Sequence, residues 1–218
     1  MINVFMANTV QEIYRRLYDF FGPQDWWPGD TPFEIMVGAV LTQNTAWTNV
    51  EKAINNLKNF DLLSFETLHS LPSAVLAEHI RPCGYYNLKA KRLQNLLNLI
   101  SENYDGDVDF FLGQDLATLR QDLLSVKGIG PETADSICLY AATKPIFVVD
   151  AYTHRILSRH DLVLEDEADY AQIQDFLMGN LPEDTAMFNE YHALLVRVGK
   201  EYCKKSKPKC DTCPLKGL

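Results

Sequence analysis

Three groups of residues have types and spacings that could do chemistry. The first is Gly128-Ile129-Gly130, preceded by Lys127. Glycines let a backbone approach a ligand because no Cβ intervenes. Where such a turn opens a helix, unpaired N–H groups and a partial positive charge make an anion site. A DNA phosphate fits that site and is held without any reading of base sequence. A plain turn between two helices has the same composition, so the turn alone does not decide. The second is Asp150, twenty residues past Gly130 in the context Val148-Val149-Asp150. It is a favoured N-cap for the helix that follows, and its place downstream of the glycine turn marks it as a candidate functional carboxylate. The third is Cys203, Cys210 and Cys213, within eleven residues of one another. Thiolates suit iron–sulfur clusters and zinc. Cys83 and Cys138 make five cysteines in all. An odd total with a clustered trio argues for a reducing compartment and a metal site rather than a disulfide framework.

The elements that must position these residues read as helices almost throughout. Thr9 and Glu12 form a T-x-x-E capping box that predicts a helix start, with Ile13, Leu17 and Phe20 following at helical spacing. Gly22 and Pro23 end it. Pro32 suits a first helical turn, and Phe33 to Leu41 is apolar enough to predict a buried helix. Asn44 and Thr45 are expected to cap the next helix, with Val50, Ala53, Ile54 and Leu57 on its inner face. Short helices are expected from Ser64 and Ser73, and a long one after Asn87. Asp105 to Phe111 reads as a loop opened by Asp105-Gly106. Helices flank the glycine turn, with Leu119 and Leu123 before it and Ala134, Ile137 and Ala141 after it. Asp150 opens a helix to about Leu162, and further helices cover roughly 170–181 and 184–198. Pro145 to Val149 is β-branched but has no partner strand, so it reads as an extended connector. The expected fold class is all-α.

Composition narrows the function classes. The chain has 218 residues, 47% hydrophobic and 22% charged, which fits one domain or two small ones and excludes a collagen-like or disordered chain. No apolar run reaches the ~18 residues of a membrane span, and Met1 to Asn8 does not read as a secretory signal. Net charge is −9, which argues against a general nucleic-acid binder. Screening beyond ~8–10 Å lets a local basic face outweigh distant acids. Arg81 to Arg92 holds four basic residues and no acid, and Lys200 to Leu218 holds six lysines against Glu201 and Asp211. Five acids lie between Asp161 and Asp169. Each run reads either as a solvated face or as a division of basic and acidic sides.

Together and in this order, four features resemble the endonuclease III superfamily of DNA glycosylases, the helix-hairpin-helix, Gly/Pro-rich loop, Asp family. They are the segment Leu41 to Thr45 (LTQNT), the hairpin Val126 to Ala134, the loop Lys144-Pro145 leading to Val149-Asp150, and the C-terminal cysteines. The resemblance implies two helical lobes, 25–142 and 1–24 with 143–218, with double-stranded DNA carrying a damaged base lying across a cleft. It implies that Lys127, Gly128, Ile129 and Gly130 hold a backbone phosphate and that Asp150 is the catalytic aspartate. Breaking a glycosidic bond builds positive charge on the deoxyribose, which a carboxylate stabilises while orienting water. Gln43 would fill the gap left by the flipped nucleotide, with Asn44 as the alternative and a plain helix end as the structural reading. The spacing Cys203-x6-Cys210-x2-Cys213 resembles the family's [4Fe–4S] loop, which continues x5-Cys; that position falls just past Leu218. Either the sequence is trimmed or the cluster lacks its last ligand, and metal-free cysteines are the alternative. A cluster here would shape Lys204, Lys205, Lys207 and Lys209 into a phosphate-binding loop.

One departure narrows the expected activity. Relatives that also cut the backbone carry a lysine in the pattern G-V-G-x-K-T-A, and Glu132 stands in that place here. A carboxylate cannot form an imine, so simple hydrolysis to an abasic site is expected. The branch that removes alkylated bases such as 3-methyladenine also lacks the lysine, and the sequence resembles it in Trp26-Trp27-Pro28, Phe33 to Thr45 and Arg81 to Leu93. Tryptophan faces attract cations by ~0.5–2 kcal/mol, so Trp26, Trp27, Pro28 and Trp47, with Glu132, are expected to form the pocket of a cationic flipped base. Core packing is the plainer reading of the tryptophans. The expectation is a monomeric, cytoplasmic, nucleoid-associated repair enzyme. The alternatives are a glycosylase for oxidised pyrimidines or mismatched bases, and a non-catalytic DNA-binding module.

Overall fold

The structure, a computed structural model, describes residues 2–164 and 169–218, with side chains from residue 8 onward. Glu165, Asp166 and Glu167 of the acidic run lie outside the described residues. Among the described residues there are twelve α-helices and no strand. The chain divides into two compact units, Met1–Trp27 with Pro145–Leu218, and Pro28–Lys144.

The continuous unit is built around α2 (Pro32–Leu41). Thr31 caps it, its hydroxyl accepting from the Glu34 N–H, and Pro32 fills the first turn where no N–H is needed. Met36, Val37, Val40 and Leu41 are fully buried, as an all-apolar helix requires. Around it lie α3 (Trp47–Asn59), α4 (Phe65–Ser70), α5 (Ser73–His79), the long α6 (Tyr86–Tyr104), α7 (Val108–Gly113), α8 (Leu116–Ser125) and α9 (Pro131–Ser136). A π-helical turn, Ile137–Ala141, continues α9 and packs on α2.

The discontinuous unit holds α1 (Ile2–Phe21), α10 (Ala151–Arg159), α11 (Tyr170–Asn180) and α12 (Thr185–Glu201). Residues 146–149 carry no helix or strand and are buried on the way into α10. Without a partner strand their backbone groups need other acceptors and donors, and the Gln174 amide supplies one by donating to the Phe147 carbonyl (2.6 Å).

Three local expectations are corrected. Helix α1 begins at Ile2, so Thr9 lies inside it, and Glu12 pairs forward with Arg15 and Arg16 instead of capping. The cap of α3 is Ala46 with no side-chain bond, because the Thr45 hydroxyl is engaged elsewhere, donating to the Cys83 carbonyl. The segment expected as a loop at 105–111 contains the start of α7, whose Asp107 cap accepts from the Phe110 N–H. Capping motifs act on the nearest helix start, but tertiary partners decide which start is used.

Candidate nucleic-acid and active site

The glycine turn joins α8 to α9, and its two glycines serve different needs. Gly128 has φ +101°, a region open to glycine alone without strain. A Cβ there would sit 2.5 Å from Arg92 Cγ, so the space is taken by the chain itself. Gly130 is extended at φ −100°, caps α9, and has nothing within 4 Å of a Cβ position. The open side of the turn, where a ligand can approach, is therefore at Gly130. Ile129 is buried, so its contribution there is main-chain only. Lys127 is exposed and its carbonyl accepts from Asn95 (2.9 Å). An ion pair, Arg120 Nε to Asp135 Oδ1 at 2.7 Å, staples α8 to α9; Asp135 is fully buried and Arg120 half-buried. Glu132 is exposed in the first turn of α9, where a negative charge complements the helix dipole.

Gln43 lies on the turn after α2 and is joined to the hairpin. Its Nε2 donates to the Gly128 carbonyl (3.1 Å) and to Thr133 Oγ1 (2.9 Å), while its Oε1 accepts from Arg92 Nη1. Asn44 beside it is exposed, with φ +53°. Lys89 was expected on a basic face and instead is 1% exposed. Its ammonium donates to the carbonyls of Leu41 (2.8 Å) and Cys83 (2.7 Å) and to the Thr45 hydroxyl, and burial pushes its pKa down. The Arg81 to Arg92 run is thus part surface and part internal strut.

Asp150 caps α10. Its Oδ1 accepts from the N–H groups of Tyr152 (3.0 Å) and Thr153 (2.8 Å) and from the Thr153 hydroxyl (3.0 Å). Its Oδ2 lies 3.8 Å from His192 Nε2 on α12, and the side chain is 13% exposed. His192 is buried, and that burial lowers its pKa and favours the neutral imidazole. One carboxylate oxygen is fixed by the helix start, and the other lies outside the cap, facing His192.

The four residues expected to form a base pocket are divided two and two. Trp26 and Trp27 are in the discontinuous unit, ring centroids 5.2 Å apart and tilted by 65°. Their approach is anchored by Glu190, which accepts from the Gln24 N–H, and by Arg197, which donates to the Gln24 side chain. Pro28 and Trp47 are in the continuous unit and line a cavity of about 290 Å³ with Asp30, Glu34, Glu51 and Lys58. Lys58 bridges Asp30 and Glu34, and Glu51 is exposed one turn past Trp47. Glu132 is not part of that lining.

The cysteine loop is held by α10. Arg155 Nε donates to the Cys203 carbonyl (2.8 Å), and Arg159 reaches Cys203 Sγ (3.3 Å) and the carbonyls of Lys204 and Lys205. Burial and the neighbouring Cys203 and Cys210 raise the pKa of Cys213. Among the described residues, no three His, Cys, Asp or Glu side chains are placed to hold one metal ion. A [4Fe–4S] cube takes one thiolate at each of its four irons, and the loop supplies three cysteines toward that set. Lys204, Lys205, Lys207 and Lys209 are exposed along the loop.

Sequence reasoning missed Arg92, Thr133, His192 and the Arg120–Asp135 pair. Asp135 interrupts an otherwise small and apolar stretch after the hairpin, a signal of an internal partner. Nothing in the sequence points from Arg92 to Gln43 or from His192 to Asp150.

A model of the HhH-GPD superfamily base excision DNA repair protein matches residues 37–183. The chain is 49% identical to the Methanocaldococcus jannaschii "Putative DNA repair glycosylase MJ1434", over 95% of this chain and 94% of that protein. It is 29% identical to Thermotoga maritima Endonuclease III over 85% of this chain and 81% of that protein. Among solved structures, it resembles the Helicobacter pylori 3-methyladenine DNA glycosylase MagIII bound to 1,N6-ethenoadenine, with a TM-score of 0.74, 31% identity, and 89% and 97% of the two chains covered. It also shares the fold of an Endonuclease III–DNA covalent intermediate at a TM-score of 0.81 and 22% identity, covering 96% and 93%. Among the described residues, no helix is long and apolar enough to cross a membrane.

Proposed function

The chain belongs to the HhH-GPD superfamily of base excision DNA repair proteins and is a DNA glycosylase of that family, and from this premise we propose that it is monofunctional and removes alkylated purines. The observation that carries the proposal is the pairing of Asp150, with Oδ2 outside its helix cap, and Glu132 at the place where lyase chemistry needs an amine. The 31% identity to a 3-methyladenine glycosylase supports the substrate class.

Backbone N–H groups beside Gly130, with Lys127, hold a phosphate of duplex DNA. The damaged nucleotide is extruded and Gln43 takes its place in the stack. An alkylated purine carries positive charge and is attracted to tryptophan faces. It is a good leaving group, so little acid assistance is needed. As the glycosidic bond breaks, Asp150 Oδ2 faces the positive charge growing on the sugar and orients water toward C1′. His192 stays neutral and leaves that negative charge uncancelled. The enzyme works on chromosomal DNA.

The direct test is to incubate the protein with methylated DNA and identify the released bases. Release of 3-methyladenine-type bases is expected, with alkali required for strand cleavage and no adduct trapped by borohydride. Trapping without any substitution would overturn the monofunctional reading. Because Endonuclease III relatives are also similar, duplexes bearing oxidised pyrimidines belong in the same assay, and preferential release from them would favour that specificity. The cysteine loop is this chain's place for a thiolate-bound iron–sulfur centre, and iron and acid-labile sulfide analysis of the purified protein tests whether one is carried.

A further inference from the structure

Arg92 sits on α6, half-buried, with its stem against the glycine turn. Its Cγ occupies the space into which a Cβ on Gly128 would project. Its Nε is buried without an acceptor, so packing rather than hydrogen bonding orients that edge of the guanidinium. The other edge points at Gln43, donating from Nη1 to Oε1. This contact determines the sense of the amide. Arginine only donates and the Gly128 carbonyl only accepts, so Gln43 must turn its oxygen to Arg92 and its nitrogen to the hairpin. Thr133 receives the second amide hydrogen from inside α9. One turn earlier on α6, Lys89 clamps the backbone on which Gln43 stands.

We propose that Arg92 is a positioning residue for base extrusion, fixing the side chain of Gln43 and tying it to the glycine turn. The proposal rests on the reading of Gln43 as the residue that fills the vacated stack. Its consequence is that the phosphate-holding turn and the gap-filling side chain move as one unit. Neither needs to find its place separately when DNA binds.

A double-mutant cycle tests it. Arg92→Met keeps the stem that packs on Gly128 and removes the donors; Arg92→Lys keeps the charge and loses the fork. Extrusion is followed with a fluorescent base analogue beside the lesion, and excision is followed under single-turnover conditions, after melting curves establish that each variant is folded. In the parent background Arg92→Met is expected to slow extrusion and excision about tenfold, the scale of one lost charged hydrogen bond, and Arg92→Lys by less. In a Gln43→Ala background the same substitutions are expected to change either rate less than twofold. Equal losses in both backgrounds, or no loss in the parent, would overturn the inference. If Gln43→Ala alone extrudes and excises at the parent rate, the gap-filling reading of Gln43 fails and the inference falls with it. Additive losses on top of an impaired Gln43→Ala sink the inference alone.

Discussion

Asp150 caps α10, the proposed reaction gives its carboxylate a second task, and substitutions separate the two. Asparagine caps a helix about as well as aspartate. Asp150→Asn is therefore expected to leave the melting temperature nearly unchanged while single-turnover excision falls about 10²–10³-fold. Asp150→Ala loses the cap as well, and chemical denaturation should show a further cost of about 1 kcal/mol. A parental excision rate in Asp150→Asn would remove Asp150 from the chemistry. Glu132→Lys places an amine in the first turn of α9, where Glu132 is exposed. Borohydride trapping of a covalent adduct is expected from this variant and not from the parent. At this scale the sequence was legible where a role belongs to one residue type at one spacing. Asp150 as a helix cap was legible in that way. His192 was not, because a histidine in an apolar stretch carries no mark of which carboxylate it will face.

The elements that carry these residues are held by close approach and by internal charge. Gly199 on α12 lets Tyr152 of α10 pack directly on the helix, since a Cβ there would lie 2.4 Å from the ring. Gly199→Ala must push α10 away. It is expected to destabilise the protein by about 1–3 kcal/mol in denaturant unfolding. It should also lower excision, because the Tyr152 N–H is one of the groups fixing Asp150. In the continuous unit, Arg120→Met would leave Asp135 buried without its cation. A loss of about 3–5 kcal/mol is expected, against a small loss when both partners are replaced by apolar residues. The helices themselves were mostly readable, because 3.6-residue periodicity and caps such as Ser64 and Asp150 are local. The misread starts at Thr9 and Thr45 are positions where a longer-range partner, or a longer helix, outweighed a good local motif.

For the molecule as a whole, pH reports on buried imidazoles. Burial lowers the pKa values of His192 and His160 below the ordinary 6.5. As pH falls through that value the unfolded chain takes up protons that the folded chain refuses, so stability drops toward acid. Denaturant midpoints should fall between pH 7.5 and 5.5, and His192→Phe should flatten that slope. At the alkaline end, burial pushes the Cys138 thiol up to about 12, so above about pH 9 the unfolded chain ionises a thiol the folded one retains, and stability falls again. DNA affinity should decline steeply with salt despite the net charge of −9, because phosphate contacts release counterions whatever the distant acids do.

The sequence by itself determined the helical class, the order of glycine turn and aspartate, the missing lysine and the spacing of the cysteines. All of these are properties of residue type and short-range spacing. Only the tertiary structure decided that Lys89 is internal, that the space at Gly128 is filled by Arg92, and that Gln43 is bound to a hairpin ninety residues away. It also decided that Arg155 and Arg159 of α10 hold the cysteine loop through its carbonyls. Such pairings depend on which faces the packed core brings together, and a charged side chain looks the same in sequence whether it ends in water or against a carbonyl.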